Sequence, residues 1–287
     1  MNKTDLESID TLLIDCDGVL WRGQQSIAGA FDALNALRAG GKRLVFVTNN
    51  STKSREEYTT RFASLGLDGV ATEDVFGSAY VTALYMKEQL PQGSKVYVVG
   101  GAGIVRELEL AGLVPVGMGD EDKVYEKLEA FPVDDDVAGV VVGFVSKLSY
   151  YKFAYAAQVV RGRPERPFVA TNRDATFPAD GMILPGGGAA VAFLATAAGR
   201  EPVTMGKPSP TLFATIRAAI PAIDPARTLM VGDRMNTDIQ FGNSAGMRTL
   251  LVLTVVNSRA DAEALPADDV QRPTFITDSF ADLQALL

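Results

Sequence analysis

Short apolar runs alternate with amphipathic segments along most of this chain. The apolar runs predict strands at 10–15, 43–48, 95–100, 138–144, 167–171, 227–232 and 248–254. Most of these runs are continuous, which is typical of strands in a parallel sheet whose two faces are both covered. Strands that alternate with helices predict an α/β fold with a Rossmann-like, mostly parallel sheet.

Two of the amphipathic segments carry clear helix ends. Ser54 and Glu57 form a capping box before an apolar face, and Gly66 predicts the end of that helix. Ser209-Pro210 is typical of a helix start, and the apolar residues after it repeat at helical spacing. Ligands of such a sheet bind beyond the carboxyl ends of its strands, so the polar residues at those ends are the ones to examine.

The sequence also predicts a division into domains. Turn-rich stretches at 91–94 and 199–202 are typical of linkers, and the stretch between them has strands and helices of its own. The polar strand ends described below all lie outside that stretch. We therefore predict a core domain formed by residues 1–90 and 201–287, with an α/β cap domain inserted at 91–200.

Composition excludes several kinds of chemistry. The 287 residues include no histidine and one cysteine, Cys16. A Ser–His–Asp triad, a Cys–His pair, a histidine metal ligand and a disulfide within the chain are therefore excluded. Acid–base chemistry near neutral pH must come from carboxylates, lysine or bound water, and a metal must accept oxygen ligands, which favours Mg²⁺.

Charge and hydropathy limit the partners. The formal net charge is −8 and the basic residues are scattered, which argues against a nucleic-acid partner and against an anionic membrane surface. The apolar runs are too short to span a membrane, and the polar start of the chain lacks a signal-peptide core. We expect a soluble protein with a small-molecule partner, in the cytoplasm or, after removal of a transit peptide, in an organelle stroma.

The first predicted strand ends in two aspartates, Asp15 and Asp17. Carboxylates rarely end a buried strand without a partner, because removing a charge from water is costly. Two of them, alternate along the chain, would repel each other unless a cation joined them. A divalent metal site with one carboxylate free to act as a nucleophile explains the pattern, and a polar turn after a core strand is the alternative.

Polar side chains follow two further predicted strands. Thr48, Asn49 and Asn50 precede a helix N-terminus, where hydroxyl, amide and backbone N–H groups suit phosphate oxygens; a turn with an N-cap is the alternative. Asp233 ends another buried strand, and Asp238 stands at the start of the next helix, where a carboxylate is favoured by the helix dipole alone.

A lysine completes the predicted site. Lys207 lies between a glycine and a proline, which restricts where its ammonium can go. A lone lysine is usually a surface residue, but a compact cation also fits a phosphate or a carboxylate cluster. Together, the strand ends predict one site in which Asp15, Asp17 and Asp233 bind Mg²⁺ while Thr48, Asn49 and Lys207 hold a phosphoryl group.

With these motifs the chain resembles the haloacid dehalogenase superfamily of phosphatases. Four motifs match in the family's order, namely Asp15-Cys16-Asp17-Gly18-Val19, Thr48, Lys207, and Gly232-Asp233 with Asp238. The stretches around them look like the subgroup that contains phosphoglycolate phosphatase, pyridoxal phosphatase and 4-nitrophenylphosphatase. That subgroup has a large α/β cap between the second and third motifs, in agreement with the insertion at 91–200.

The resemblance implies a role for each acidic residue. Asp15 is the nucleophile that forms an aspartyl-phosphate, and Asp17 protonates the leaving alcohol and then activates water. Mg²⁺ is held by Asp15, the backbone carbonyl of Asp17 and Asp233, with Asp238 beside them. Dehalogenases of the superfamily lack the second aspartate, so its presence favours phosphate chemistry.

The resemblance also implies where the substrate is chosen. A cap loop that includes Asn172, Arg173 and Phe177 matches the subgroup's specificity loop. Animal pyridoxal phosphatases place a histidine near the position of Phe177, and this chain has none. We therefore expect 2-phosphoglycolate as substrate and 4-nitrophenyl phosphate as an artificial substrate. Arg173 is a candidate partner for the carboxylate of 2-phosphoglycolate, and a solvent-facing arginine is the alternative. Pyridoxal 5'-phosphate is the alternative, and a homodimer through the cap is a further expectation.

A different class of function must also be weighed. The run from Gly100 to Gly103 follows a predicted strand and precedes a helix, as in NAD-binding oxidoreductases. It is not a full G-x-G-x-x-G motif, because position 106 is arginine. A non-catalytic binding protein would have a broken site, whereas all the proposed catalytic residues are present.

Overall fold

A computed structural model of the chain describes residues 1–124, 131, 133–179 and 182–287. Its strands are β1 (Thr11–Ile14), β2 (Trp21–Arg22), β3 (Gln25–Ser26), β4 (Arg43–Thr48), β5 (Val75–Gly77), β6 (Lys95–Val99), β7 (Val114–Val116), β8 (Val137–Val142), β9 (Phe168–Ala170), β10 (Thr176–Ala179), β11 (Met182–Pro185), β12 (Val203–Thr204), β13 (Thr228–Gly232), β14 (Arg248–Val252) and β15 (Phe275–Thr277). Each of the strands predicted from the apolar runs is present.

The helices lie between these strands. They are α1 (Lys3–Glu7), α2 (Ala30–Ala39), α3 (Arg55–Ser64), α4 (Ser78–Gln89), α5 (Ala102–Leu110), α6 (Tyr150–Val160), α7 (Gly187–Ala198), α8 (Pro210–Ala219), α9 (Gln240–Ser244) and α10 (Arg259–Glu263). Short 3-10 helices span Thr72–Asp74, Asp120–Asp122, Pro225–Arg227 and Phe280–Leu286, and a π-helical turn at Met235–Ile239 leads into α9.

The three helix ends predicted for α3 and α8 are confirmed. The Ser54 side chain accepts from the backbone N–H of Glu57, and the Glu57 carboxylate accepts from the N–H of Ser54. Gly66 follows α3 with a φ of 88°, and α8 begins at Pro210 with Ser209 as its N-cap. Each cap satisfies backbone N–H groups that have no partner inside the helix.

The first sheet is parallel, with the strand order β15-β14-β13-β1-β4-β5. It is formed by strands from both ends of the chain, and β1 lies between β13 and β4. The chain winds from β1 outward through β4 and β5, and later returns on the other side through β13. The order therefore reverses at β1, which is where open α/β sheets bind their ligands.

The second sheet is also parallel, with the strand order β12-β9-β8-β6-β7. Its strands lie along the chain between the two segments that form the first sheet. Its edge strand β12, at Val203–Thr204, lies beyond residue 200, where the sequence predicts the end of the insertion. A run of two residues leaves too little pattern to be recognised as a strand. The mixed α/β class and its Rossmann-like sheets are those predicted.

Burial on both faces explains the continuous apolar runs. In β1, Leu12 and Ile14 pack with Trp21 on one face, whereas Leu13 packs with Val45 on the other. The second of these clusters continues into the other sheet through residues such as Val98 and Val141. The two sheets therefore share hydrophobic core. Among the helices described, none combines the length and the apolar character needed to cross a bilayer.

Candidate active site

Three neighbouring strands of the first sheet deliver the main polar groups to one edge. Ile14 is paired with Val231 on one side and Phe46 on the other, and the backbone N–H of Asp15 donates to Val231 O at 2.9 Å. Asp15 directly follows β1, Asp233 directly follows β13, and Thr48 is the last residue of β4. Parallel pairing in register is what places these residues together.

A cluster of three buried aspartates forms at this edge. Asp15, Asp233 and Asp238 each offer an oxygen within 4.8 Å of the others. The Lys207 ammonium, which is 2% exposed, lies 2.5 Å from Asp15 Oδ1 and 2.7 Å from Asp238 Oδ1. It also donates to the main-chain oxygen of Val47 at 2.8 Å. From the sequence alone, Lys207 could also be a surface residue. The structure shows that it is buried among carboxylates.

The electrostatics of this cluster call for a cation. Burial raises the pKa of Asp15 well above its usual range and raises that of Asp233 to about 7, with the charge of Asp238 adding to both shifts. Burial alone would lower the pKa of Lys207, but the carboxylates of Asp15 and Asp238 outweigh it, so the net shift is upward. Three carboxylates against one ammonium leave two negative charges uncompensated in a buried site.

The donor set fits Mg²⁺. Asp238 Oδ1 is buried, and the Lys207 ammonium that lies 2.7 Å from it also pairs with Asp15. One ammonium is thus shared between two carboxylates. Closely spaced carboxylate oxygens without nitrogen or sulfur ligands suit a hard divalent cation. The excess of negative charge and the oxygen-only donor set point to the same kind of ion.

A glycine makes room for this cluster. Gly18 has a φ of 90°, a conformation that residues with a side chain rarely adopt. A Cβ atom at this position would lie 2.2 Å from Asp233 Oδ2. The turn after Asp17 must therefore carry glycine for the β1 loop and the β13 loop to approach each other.

Asp17 stands beside the cluster rather than in it. Its Oδ1 accepts from the indole Nε1–H of Trp21 at 2.9 Å, and its Oδ2 accepts from Asn50 Nδ2 at 3.1 Å. The side chain is half-buried. Its carboxylate is therefore separate from the oxygens of the three-aspartate cluster. The backbone carbonyl of Asp17 stays a predicted metal ligand, as the family resemblance implies.

The loop after β4 is fixed by internal hydrogen bonds. Thr48 is buried, and its hydroxyl accepts from the backbone N–H of Asn50 at 3.1 Å. Asn49 Oδ1 accepts from the backbone N–H of Lys207 at 2.8 Å, and Asn49 Nδ2 donates to Lys207 O at 3.1 Å. The two asparagine side chains predicted to bind substrate are thus engaged with protein groups. Backbone N–H groups and the Thr48 hydroxyl are the groups of this loop best suited to a phosphate.

The loop after β9 closes over the same residues. Asn172 Nδ2 donates to Asn49 O at 2.7 Å, and Asn49 Nδ2 donates to Asp174 Oδ1 at 3.0 Å. Thr171 Oγ1 donates to Ser51 Oγ at 3.2 Å. Burial raises the pKa of Asp174, while Arg234 opposes the shift. Five residues of the β9 loop and the β4 loop thereby form one hydrogen-bonded unit.

The other two predicted loop residues lie farther out. Arg173 is exposed, donates to Thr204 Oγ1 at 3.0 Å and forms an ion pair with Glu201. The ring of Phe177 packs edge-on against Phe144, with centroids 5.1 Å apart. An open cleft of about 560 Å³ is lined by Arg173 together with Lys207 and residues of α8. Arg173 thus lines the same cleft as Lys207. The charge of Arg173 is already paired with Glu201.

Three residues of the site were not found from the sequence. They are Trp21, which donates to Asp17, Asp174, which accepts from Asn49, and Arg234, whose Nη2 donates to Thr176 O at 3.0 Å. Arg234 directly follows a predicted ligand and Asp174 lies inside the predicted loop, so proximity to a motif was the available signal. The contacts of Asp174 and Arg234 span 125 and 58 residues, which no local pattern encodes. Trp21 contacts a residue four positions away, but its side chain alone does not show that its N–H faces Asp17.

The glycine-rich turn after β6 has a packing role. Gly103 donates its backbone N–H to Thr52 O at 3.1 Å, and a Cβ atom there would lie 2.5 Å from the Lys53 backbone. The start of α5 is therefore covered by the chain that precedes α3. A dinucleotide pyrophosphate needs that helix end to be open, so the geometry argues against the NAD-binding interpretation.

The fold and this site define a class of protein. Residues 12–114 match the model of haloacid dehalogenase-like hydrolases, and residues 204–283 match a second model of HAD-hydrolase-like proteins. The chain belongs to the haloacid dehalogenase-like hydrolases, as the sequence motifs predict.

Relatives specify the enzyme further. The chain is 39% identical to phosphoglycolate phosphatase 2 of Arabidopsis thaliana, over 99% of this chain and 95% of the relative. It is 41% identical to the glycerol-3-phosphate phosphatase of Gallus gallus, over 97% of this chain and 92% of the relative. The magnesium complex of glycerol phosphate phosphatase from Mycobacterium tuberculosis superposes with a TM-score of 0.80 at 35% identity, covering 97% of this chain and 77% of that one. This protein is accordingly a phosphoric monoester hydrolase.

Proposed function

We propose that this enzyme is a Mg²⁺-dependent phosphatase that hydrolyses small phosphate monoesters through a phosphoryl group carried on Asp15. The observation that carries the proposal is the cluster of Asp15, Asp233 and Asp238 around Lys207, with Asp17 held beside it. Phosphoryl transfer requires a positioned nucleophile and neutralised charge more than any covalent chemistry from the protein. The cluster supplies both.

The first half-reaction forms the covalent intermediate. A carboxylate oxygen of Asp15 bonds to phosphorus while the bond from phosphorus to the ester oxygen breaks. Asp17 gives its proton to that oxygen, so the product leaves as a neutral alcohol. Lys207, 2.5 Å from Asp15 Oδ1, offsets the repulsion between the attacking carboxylate and the phosphate.

The second half-reaction releases phosphate. Asp17, now ionised, takes a proton from a water molecule whose oxygen bonds to phosphorus. The bond between phosphorus and Asp15 breaks, and the carboxylate is restored. Asp15, Asp233 and the Asp17 carbonyl, with Asp238 adjacent, would hold Mg²⁺, which would supply positive charge for the phosphoryl oxygens.

We propose that the second sheet acts as a cap. The loop from Asn172 to Asp174 lies over the β4 loop, where it can exclude water from the reacting groups. The apolar side chains of Met182 and Ile183 on the same part of the chain are 58% and 77% exposed. A homodimer formed through this cap remains a proposal, which light scattering of the purified protein with and without the Ile183→Asp change would test.

2-Phosphoglycolate is the proposed substrate. Its carboxylate would need a cation in the cleft, where the Lys207 ammonium is already paired with Asp15 and Asp238. Arg173 can supply that cation if it exchanges Glu201 for the substrate. Glycerol 3-phosphate is the second candidate, because the Asp174 carboxylate in the same cleft can accept from hydroxyl groups. Relatives named for each substrate are similar to the chain to nearly the same degree.

The substrates can be separated by one matched pair of measurements. Arg173→Gln should lower kcat/KM for 2-phosphoglycolate by about tenfold, the loss of one charged contact, and leave glycerol 3-phosphate nearly unchanged. An equal effect on both would remove Arg173 from substrate selection. The activity itself is tested by phosphate release from a panel of small esters with Mg²⁺ and with EDTA. Asp15→Asn is the control, and its folded but inactive state is the expected result.

A further inference from the structure

We propose that Trp21 is a positioning residue whose indole N–H holds the carboxyl group of Asp17 in line for proton transfer to the leaving alcohol. The inference rests on the proposed function, in which Asp17 is the general acid. The motif assigns Asp17 its role, but says nothing of what orients it. The structure supplies that group four residues farther along the chain.

The hydrogen bond has good geometry and a strong reason to persist. Trp21 Nε1 lies 2.9 Å from Asp17 Oδ1. Trp21 is 1% exposed, so water cannot serve as a substitute acceptor. The indole nitrogen is a donor only, and leaving a buried donor without an acceptor is unfavourable. Asp17 therefore supplies the acceptor that the buried indole N–H needs, and the indole N–H in turn orients the Asp17 carboxyl group.

The indole ring is immobilised from several sides. It stacks on Tyr58 and Phe31 with centroids 6.2 and 6.5 Å apart, and it contacts the tilted ring of Phe62 at 5.4 Å. The Arg61 guanidinium lies 4.2 Å from its centroid. A ring packed this way cannot follow a moving partner, so the carboxylate is the group whose position is set.

The backbone turn also fixes the distance between the two residues. The N–H of Gly18 donates to Trp21 O at 2.8 Å, which folds the chain back so that residue 21 lies beside residue 17. Trp21 then enters the short β2–β3 hairpin, where it is paired with Ser26. The loop that carries the general acid is thus closed by the residue that orients it.

A second donor fixes the plane of the carboxyl group. Asn50 Nδ2 donates to Asp17 Oδ2 at 3.1 Å. The orientation of this amide is set because Asn50 Oδ1 accepts from the N–H and the hydroxyl of Thr52, at 3.1 and 2.7 Å. With one donor on each oxygen, Asp17 cannot rotate freely toward the cation-binding cluster at Asp15. A carboxylate captured there could no longer protonate a leaving group.

Trp21 keeps its own proton throughout the proposed reaction. The proton that moves is the one on Asp17, which passes to the ester oxygen as its bond to phosphorus breaks. The loss of the indole N–H should therefore impair only substrates whose leaving group needs that proton. Phenolates with strongly electron-withdrawing substituents leave without one. A merely structural role for Trp21 would slow all substrates alike.

The sequence allows an isosteric test, because it contains one tryptophan. Biosynthetic replacement of tryptophan by β-(3-benzothienyl)alanine alters Trp21 alone, keeps the ring shape and removes the N–H. We expect kcat/KM for phenyl phosphate to fall by about tenfold or more, whereas kcat/KM for 4-nitrophenyl phosphate changes by less than about threefold. A full series of aryl phosphates should show a steeper dependence on leaving-group acidity than the unmodified enzyme does. The parameter kcat/KM is used because it reports the step that releases the alcohol.

Two variants separate the possible causes. Phe280→Leu removes a buried ring of the same hydrophobic cluster other than the three that contact the indole, and it should leave the leaving-group dependence unchanged. Asp17→Asn removes the acid itself and should steepen the dependence. If Asp17→Asn steepens it and the benzothienyl enzyme does not, the role of Trp21 is overturned while the proposed function stands. If Asp17→Asn leaves the leaving-group dependence unchanged, Asp17 is not the general acid, and that part of the proposed function is wrong.

A spectroscopic readout covers the case in which the analogue prevents folding. In the ¹⁵N-labelled enzyme, the single indole N–H resonance should exchange slowly with solvent and shift on Asp17→Ala. Trp21→Phe then serves as the kinetic variant, with the same two aryl phosphates. An indole N–H resonance whose shift does not change in Asp17→Ala would contradict the proposal. So would an equal loss of rate for both aryl phosphates in Trp21→Phe.

Discussion

The ammonium of Lys207 lies 2.5 Å from Asp15 Oδ1, although 192 residues separate the two in the chain. Both side chains are buried, and the same ammonium lies 2.7 Å from Asp238 Oδ1. A buried lysine between two carboxylates can hold a nucleophile in place and also balance the charge of an incoming phosphate. The contact brings the loop of Lys207, from the second half of the chain, next to the end of β1, where Asp15 lies.

Loss of the Lys207 ammonium should be severe. Lys207→Ala is expected to lower kcat/KM by about 10²- to 10³-fold, because the attack of a carboxylate on a phosphate dianion loses its compensating charge. Lys123→Ala is the control, since Lys123 is half-exposed and paired with Asp120 away from the aspartate cluster. Steady-state kinetics on 4-nitrophenyl phosphate compare the two. Small and equal losses would show that Lys207 has no part in the reaction.

Gly18 should be required for metal binding. Gly18→Ala places a Cβ atom 2.2 Å from Asp233 Oδ2, so that carboxylate must move. We expect Mg²⁺ affinity, measured by titration calorimetry, to fall by at least about tenfold. Gly23→Ala is a matched control, because Gly23 also has a positive φ, of 53°, but nothing lies within 4 Å of its added Cβ. Equal affinities in the two variants would exclude the steric explanation.

The pH dependence of stability should reverse when Mg²⁺ is added. Asp233 has a pKa of about 7 in the folded chain, mainly through burial, against about 3.9 when unfolded. The folded state therefore binds a proton more tightly, and this contribution to stability is lost as pH rises from about 4 to 7. Mg²⁺ needs the ionised carboxylate, so its stabilising effect should instead grow over the same range.

Melting temperatures at pH 5.5, 7.0 and 8.5, with EDTA and with Mg²⁺, test this prediction. Asp233→Asn isolates the group: without metal it should be more stable than the wild type at high pH, and it should gain little from Mg²⁺. A Mg²⁺-induced shift in Tm of the same size at all three pH values would contradict the assignment.

The cap loop should set the preference among substrates. Phe177 packs edge-on against Phe144 and offers no imidazole to a pyridine ring. The wild type should therefore prefer 2-phosphoglycolate to pyridoxal 5'-phosphate in kcat/KM, and Phe177→His should move the ratio toward pyridoxal 5'-phosphate. Phe177→Leu controls for loss of the aromatic contact. A wild type that already prefers pyridoxal 5'-phosphate would refute the substrate proposal but leave the aspartate chemistry intact.

The strand pattern could be predicted from the sequence because both faces of each long strand are buried. β4 and β8 are continuous apolar runs, and they are found where the pattern places them. Short edge strands such as β7 and β12, of three and two residues, carry no such signal. For that reason the sequence predicts the end of the insertion at residue 200, whereas the last strand of the second sheet ends at Thr204.

Asp15, Asp17 and Asp233 could be proposed from the sequence because a charged side chain at a buried strand end has few explanations. Lys207 was proposed from its place between a glycine and a proline. The groups that orient them could not. Trp21 is indistinguishable from an ordinary core residue until its N–H is seen to face Asp17. The contact between Asn49 and Asn172 likewise spans two sheets, and only the packing of the cap loop on the β4 loop creates it.

The central claim is that Asp15 carries the phosphoryl group, and rapid acid quench tests it most directly. The Asp17→Asn variant lacks the base of the second half-reaction, and ³²P-labelled 4-nitrophenyl phosphate has a leaving group that needs no proton in the first. With this pair and Mg²⁺, a labelled protein should accumulate within one turnover. Peptide mapping should place the label on Asp15, and hydroxylamine should release it, as expected of an acyl phosphate. A label on another residue, or phosphate release by the wild type with no labelled protein at any time, would contradict the account.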